Sequence, residues 1–80
     1  MTAKRPTEKQ GQYLAFIHRY TKIHRIPPSE LDLQEYFRVS PPSVHQMVCT
    51  LTENGFIDRI PGKGRTIRLL IPPEDLPALK

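Results

Sequence analysis

Apolar positions recur at steps of three and four over the first third of the chain. Tyr13, Leu14, Phe16, Ile17, Tyr20 and Ile23 line one side of a helix, with Lys9, Gln12, Arg19 and Lys22 on the other. Thr7 followed by Gln10 matches a capping box, so this helix is expected from Thr7 to about His24, although Gly11 weakens its first turn by about 1 kcal/mol. Pro27-Pro28 then forces a stop near Arg25, because the residue before a proline is pushed out of the α region. A second, short helix opens at Ser29 as N-cap. Glu30 and Asp32 sit in its first turn, where the helix dipole favours negative charge, and Leu33, Tyr36 and Phe37 form its apolar face.

A third helix opens at Ser40, with Pro41 and Pro42 in the first turn, where their missing donors cost nothing. It runs to about Asn54 and ends at Gly55. Val44, Met47, Val48 and Leu51 define its buried face, leaving His45, Gln46 and Cys49 pointing away. The β-branched and aromatic runs 56–60 and 66–71 read as two strands of a hairpin, turned by Pro61-Gly62-Lys63-Gly64-Arg65. Pro72-Pro73 ends the second strand. Residues 1–6 are expected to be a flexible basic arm, 7–71 the folded domain and 72–80 a flexible tail.

The order helix, short helix, tight turn, helix, hairpin is mainly α with a small β-hairpin. The link Arg38-Val39-Ser40 is so short that the second and third helices must cross steeply, as in a helix-turn-helix. A hairpin with basic residues at its tip makes a wing, so the expected architecture is a winged helix-turn-helix. Its third helix would enter the major groove of a duplex by its N-terminal turns.

Charge and composition sharpen this without proving it. The chain has 80 residues, 38 % apolar, a mean hydropathy of −0.47 and a net charge of +4. Residues 1–28 carry +5, residues 29–55 carry −3, and residues 56–80 carry +2. Basic ends favour a polyanionic partner, although a solvated surface with excess Lys and Arg has the same composition. Length excludes a large enzyme with a roofed active site, and no run of about 18 apolar residues provides a membrane span. No apolar run follows the first residues, so no signal peptide is expected, and the single Cys49 suits a reducing cytoplasm. His45 and Cys49 face the same way, but a metal site needs three or four ligands. No phosphate loop or paired-carboxylate motif appears, so no cofactor and no enzymatic activity are expected.

Several stretches in this order resemble the N-terminal DNA-binding domain of the LexA repressor family. They are Thr7-Glu8-Lys9-Gln10, Ile26-Pro27-Pro28-Ser29, Ser40-Pro41, Leu51-Thr52-Glu53-Asn54-Gly55-Phe56-Ile57 and 61–70. The resemblance covers roughly 7–70 and implies a transcriptional regulator, typically a repressor, that binds double-stranded DNA. Two departures stand out. Arg38 stands near a turn position that is usually glycine in the family. A non-glycine there costs roughly 1 kcal/mol in a left-handed conformation, or the turn is built differently. The autocleavage domain with its Ser–Lys dyad is not expected within these 80 residues, so the resemblance does not imply self-cleavage.

The candidate contacts follow from this placement. His45 and Gln46 are the base readers: Gln offers a donor and an acceptor to adenine, and His donates to guanine N7. Ser40 and Ser43 are short donors near the helix start, and Pro42 offers apolar contact to a thymine methyl. Lys63 and Arg65 are the wing contacts to phosphate or minor groove. Each has a plainer reading, as capping residue, helix entrance or solubilising surface charge. A single small unit offers few contacts, so tight binding is expected to need a homodimer or a partner protein. No pocket for a small-molecule effector is evident. The competing readings are a winged-helix protein-interaction module, using the acidic second helix, and an RNA-binding domain. The latter is disfavoured because every aromatic is claimed by an apolar face.

Overall fold

A computed structural model describes residues 5–80, so most of the expected basic arm lies outside the described residues. Helix α1 spans Glu8–His24, α2 Glu30–Phe37 and α3 Pro41–Glu53. Strands β1 (Ile57–Asp58) and β2 (Arg68–Leu69) follow, and a 3-10 turn at Pro73–Asp75 completes the order. This is the winged helix-turn-helix arrangement of three helices and a two-stranded antiparallel hairpin.

The helix ends are set by local chemistry. The Thr7 hydroxyl accepts the Gln10 amide while the Gln10 side chain accepts the Thr7 amide, closing the expected capping box. Ser29 and Asp32 form a second such box, so Asp32 is a capping partner and not only a charge near the dipole. Ser40 caps α3, and Pro41 and Pro42 occupy its first turn. At the other end, Gly55 at φ 78° lets the Phe56 amide reach the Leu51 carbonyl and the Gly55 amide reach that of Thr52, a Schellman closure. The helices α1 and α2 end on left-handed residues that are not glycine, Arg25 at φ 64° and Arg38 at φ 55°. Arg38 therefore adopts the left-handed turn, and each of the two arginines costs roughly 1 kcal/mol against glycine.

The core is built from Tyr13, Leu14 and Ile17 of α1, Leu33 of α2, and Val44, Val48 and Leu51 of α3. Phe56, Ile57 and Ile67 of the hairpin close it. Tyr13 stacks on Phe37 at 4.0 Å and Phe16 on Tyr36 at 4.3 Å, which welds α1 to α2. Burial pushes the Tyr13 phenol up. Two residues of the expected helical apolar faces are nevertheless exposed, Ile23 at 61 % and Tyr36 at 44 %.

The hairpin is shorter than its sequence suggests. Ile57 pairs with Leu69 and Asp58 with Arg68, and Arg68 also bonds the Asp58 carboxylate at 2.9 Å. Beyond that register a side chain replaces the ladder. The Thr66 hydroxyl accepts the Ile60 amide at 2.9 Å and lies 3.1 Å from the Lys63 carbonyl. Pro61 and Gly62 occupy the centre of a turn closed from Lys63 N–H to the Ile60 carbonyl, and Gly62 at φ 78° supplies the positive φ that a type II turn needs.

Residues 72–80 pass back across α1. Gln12 Nε2 donates to the Ala78 carbonyl at 3.0 Å and the Lys80 backbone amide donates to Gln12 Oε1 at 2.8 Å. Leu76 packs against the core, and Pro77 lies where α1 has Gly11.

Candidate nucleic-acid interface

Burial of Val44, Val48 and Leu51 turns the opposite side of α3 outward. His45 and Gln46 are exposed there, together with Pro41, Pro42 and Ser43. The wing lies beside one flank of this face. A cleft of about 320 Å³ is lined by Pro28, Ser29 and Glu30 at the start of α2, His45 of α3, Arg59, and the wing residues 62–67. His45, Lys63 and Arg65 thus share one concavity. Pro42, Ser43 and Gln46 lie on the other flank, in a shallow groove closed by Gln10 and Met47. The candidates on α3 therefore divide between two surfaces, His45 facing the wing and Pro42, Ser43 and Gln46 lining the other groove. Ser40 belongs to the turn: its hydroxyl is 2.9 Å from that of Ser43 and accepts the Ser43 amide at 3.4 Å, so its first engagement is the cap.

The two wing cations differ. Arg65, at φ 57°, folds back onto the helical body. Its Nη1 lies 3.1 Å from Asp32 Oδ2, 3.2 Å from the Tyr20 hydroxyl and 3.3 Å from the Pro27 carbonyl. Hydrogen bonding to Tyr20, with the charge of Asp32, raises the Arg65 pKa. Burial alone would raise that of Asp32, but the Ser29 amide and hydroxyl, the Arg65 charge and the Tyr20 hydroxyl together hold the carboxyl below its ordinary value. Arg65 is thereby a strut that sets where the wing stands. Lys63 is exposed and has no side-chain partner among the described residues.

A set of residues outside the expected contacts surrounds His45. Its Nδ1 lies 3.4 Å from both carboxylate oxygens of Glu30, and its Nε2 is 3.6 Å from Cys49 Sγ. Arg59 places Nη1 3.8 Å from Glu30 Oε2 and donates from Nη2 to Cys49 Sγ at 3.7 Å. Its side chain is 19 % exposed, and its Nε is buried without a hydrogen-bond partner. Sequence reasoning had no route to Glu30 or Arg59. Glu30 reads as a dipole-compensating residue and Arg59 simply falls in the run expected as the first strand; only the fold brings both to His45. No cluster of three or more His, Cys, Asp or Glu side chains suited to a metal occurs among the described residues. No helix among them is long and apolar enough to cross a membrane.

A recognition helix with an open polar side, set by a three-residue turn against a shorter helix and flanked by a cationic wing, defines the winged helix-turn-helix class of DNA-binding proteins. The family model described as the LexA DNA binding domain matches residues 3–66, and the chain belongs to that family. It is accordingly a DNA-binding domain of the kind used in transcription regulation, a non-catalytic fold whose partner is double-stranded DNA.

Proposed function

We propose that this domain reads a specific double-stranded sequence as a cytoplasmic regulator of transcription of the bacterial type. The N-terminal turns of α3 lie in the major groove, and the wing rests on the adjacent backbone or minor groove. The observation that carries this reading is the shared cleft: His45 on α3 and Lys63 and Arg65 on the wing face one concavity beside the exposed side of the helix.

In this arrangement His45 and Gln46 meet base edges, Pro42 meets a thymine methyl, and Ser43 and Ser40 meet phosphate or base edges near the helix start. Lys63 reaches phosphate. Arg65, already tied to Asp32 and Tyr20, contributes by holding the wing at the right height and by its remaining exposed donors. Residues 7–71 are the binding unit, and the basic arm 1–6 adds backbone contacts. So small a surface supplies roughly 4–6 phosphate contacts, so binding weakens with salt with a log–log slope of about −4 to −5. Tight binding then draws on a second copy or a partner protein.

The test is selection from randomised duplexes, followed by salt titration and chemical-shift mapping. A consensus, with shifts at 40–50 and 62–66, is the expected outcome. Equal affinity for all sequences rejects specific readout. No duplex binding at low salt, together with a co-purifying protein, replaces this reading with a protein-interaction module.

A further inference from the structure

The expectation that His45 donates a hydrogen bond to guanine takes no account of its neighbours. Its Nδ1 faces the Glu30 carboxylate at 3.4 Å, and that carboxylate is itself 3.8 Å from the Arg59 guanidinium. An ionised carboxylate only accepts, so the nitrogen facing it must carry the proton. A neutral imidazole has a single N–H, so the other nitrogen, Nε2, is then a bare acceptor. Its nearest described polar neighbour is the Cys49 thiol at 3.6 Å, a weak donor that a better one displaces. The remaining charged residues of the cleft, Lys63 and Arg65, are cations that bring no acceptor to Nε2.

We propose that Glu30, held in place by Arg59, sets the tautomer of His45 and thereby its base preference. The neutral side chain accepts from an exocyclic amino group, adenine N6 or cytosine N4, and does not donate to guanine N7. This inference rests on the base contact proposed for His45 and adds which chemical group that contact takes. Glu30 is a positioning residue: it lies on α2 and acts only through the imidazole.

The experiment is duplex selection at pH 8. It compares the wild type with Glu30→Gln, Glu30→Ala and His45→Ala. Glu30 does not take part in the Ser29–Asp32 capping box, and helical circular dichroism and thermal melting establish that each variant is folded. The position contacted by His45 is the one that loses its preference in His45→Ala. There the wild type is expected to favour adenine or cytosine. Glu30→Gln presents an amide that can donate to Nδ1, which frees the tautomer carrying a proton on Nε2. The same position then moves toward guanine, by about tenfold in relative preference. Glu30→Ala imposes neither tautomer and broadens it. If His45→Ala changes no position, the base-contact reading fails and this inference with it. If His45→Ala flattens one position but the wild type favours guanine there, or Glu30→Ala, which removes the acceptor facing Nδ1, leaves the preference unchanged, the contact stands and the tautomer assignment is overturned.

Discussion

Asp32 joins two tethers through one oxygen, and removing it tests both. Its Oδ2 accepts the Ser29 amide at 2.9 Å and lies 3.1 Å from Arg65 Nη1. In Asp32→Ala the capping box loses its return bond, and the first turn of α2 is left with an unpaired donor. Loss of the acceptor for the part-buried Ser29 amide costs about 1–2 kcal/mol, while the Ser29 hydroxyl still caps the helix. The pair with Arg65 is solvent-screened and adds little to that. For a domain of this size each kcal/mol lowers Tm by about 4–8 °C, so a fall of roughly 5–15 °C is expected. An 80-residue chain with about 4–12 kcal/mol of total stability stays folded at 25 °C. Asp32→Asn keeps an acceptor for the Ser29 amide and should retain most of the wild-type stability.

The pH dependence has a definite sign. The Asp32 carboxyl has its pKa lowered by folding, so its contribution is complete above the unfolded-state carboxylate pKa. It is lost as pH falls through the lower folded-state value. The Tm gap between wild type and Asp32→Ala, measured by circular dichroism, should therefore be full at pH 7 and narrow toward pH 2. Amide exchange at Ile60 and Lys63 should also quicken as Arg65 loses its anchor. A wild-type Tm for Asp32→Ala at pH 7, or a gap that persists undiminished in acid, would refute the reasoning.

Three further outcomes follow from the same geometry. Arg38→Gly relieves the left-handed backbone at the end of α2 and should stabilise the domain by about 0.5–1 kcal/mol in urea unfolding; a loss of stability would show that the Arg38 side chain contributes more than the backbone costs. Gly11→Ala places a methyl 3.0 Å from Pro77 Cγ, so residues 77–80 should lift from α1 while the helix gains up to about 1 kcal/mol of propensity. NMR should then show the Ala78 and Lys80 contacts with Gln12 lost, and their persistence would mean that the terminal segment cannot yield. Lys63→Ala should weaken all duplexes alike and reduce the salt slope by about 1 in fluorescence anisotropy; an unchanged slope would remove Lys63 from the phosphate contacts.

Much of this domain is written in short-range chemistry. Thr7 with Gln10, Ser29 before Asp32, Ser40 before two prolines, and Gly55 each satisfy or free backbone groups within about four residues. The chain alone therefore determines where each helix starts and stops. The spacing of Val44, Val48 and Leu51 determines which side of α3 is buried, and so which side His45 and Gln46 occupy. The three-residue turn, including the strained position at Arg38, is equally local.

The long-range decisions needed the fold. Arg65 looks like a free wing cation until Tyr20 and Asp32, far away in the chain, come within hydrogen-bond reach. The strands stop after two residues each because the Thr66 hydroxyl outcompetes the ladder at Ile60, which alternation along a strand does not encode. The segment 72–80 has too little apolar content to fold alone, yet it finds Gln12 and the Gly11 gap on a helix formed more than 60 residues earlier. Periodicity specifies which face of an element turns inward, because that depends on bonds between near neighbours. Which charged side chains meet across elements depends on packing distances that no local pattern contains, and this is why Glu30 and Arg59 come into view only once α2, α3 and the wing are assembled around His45.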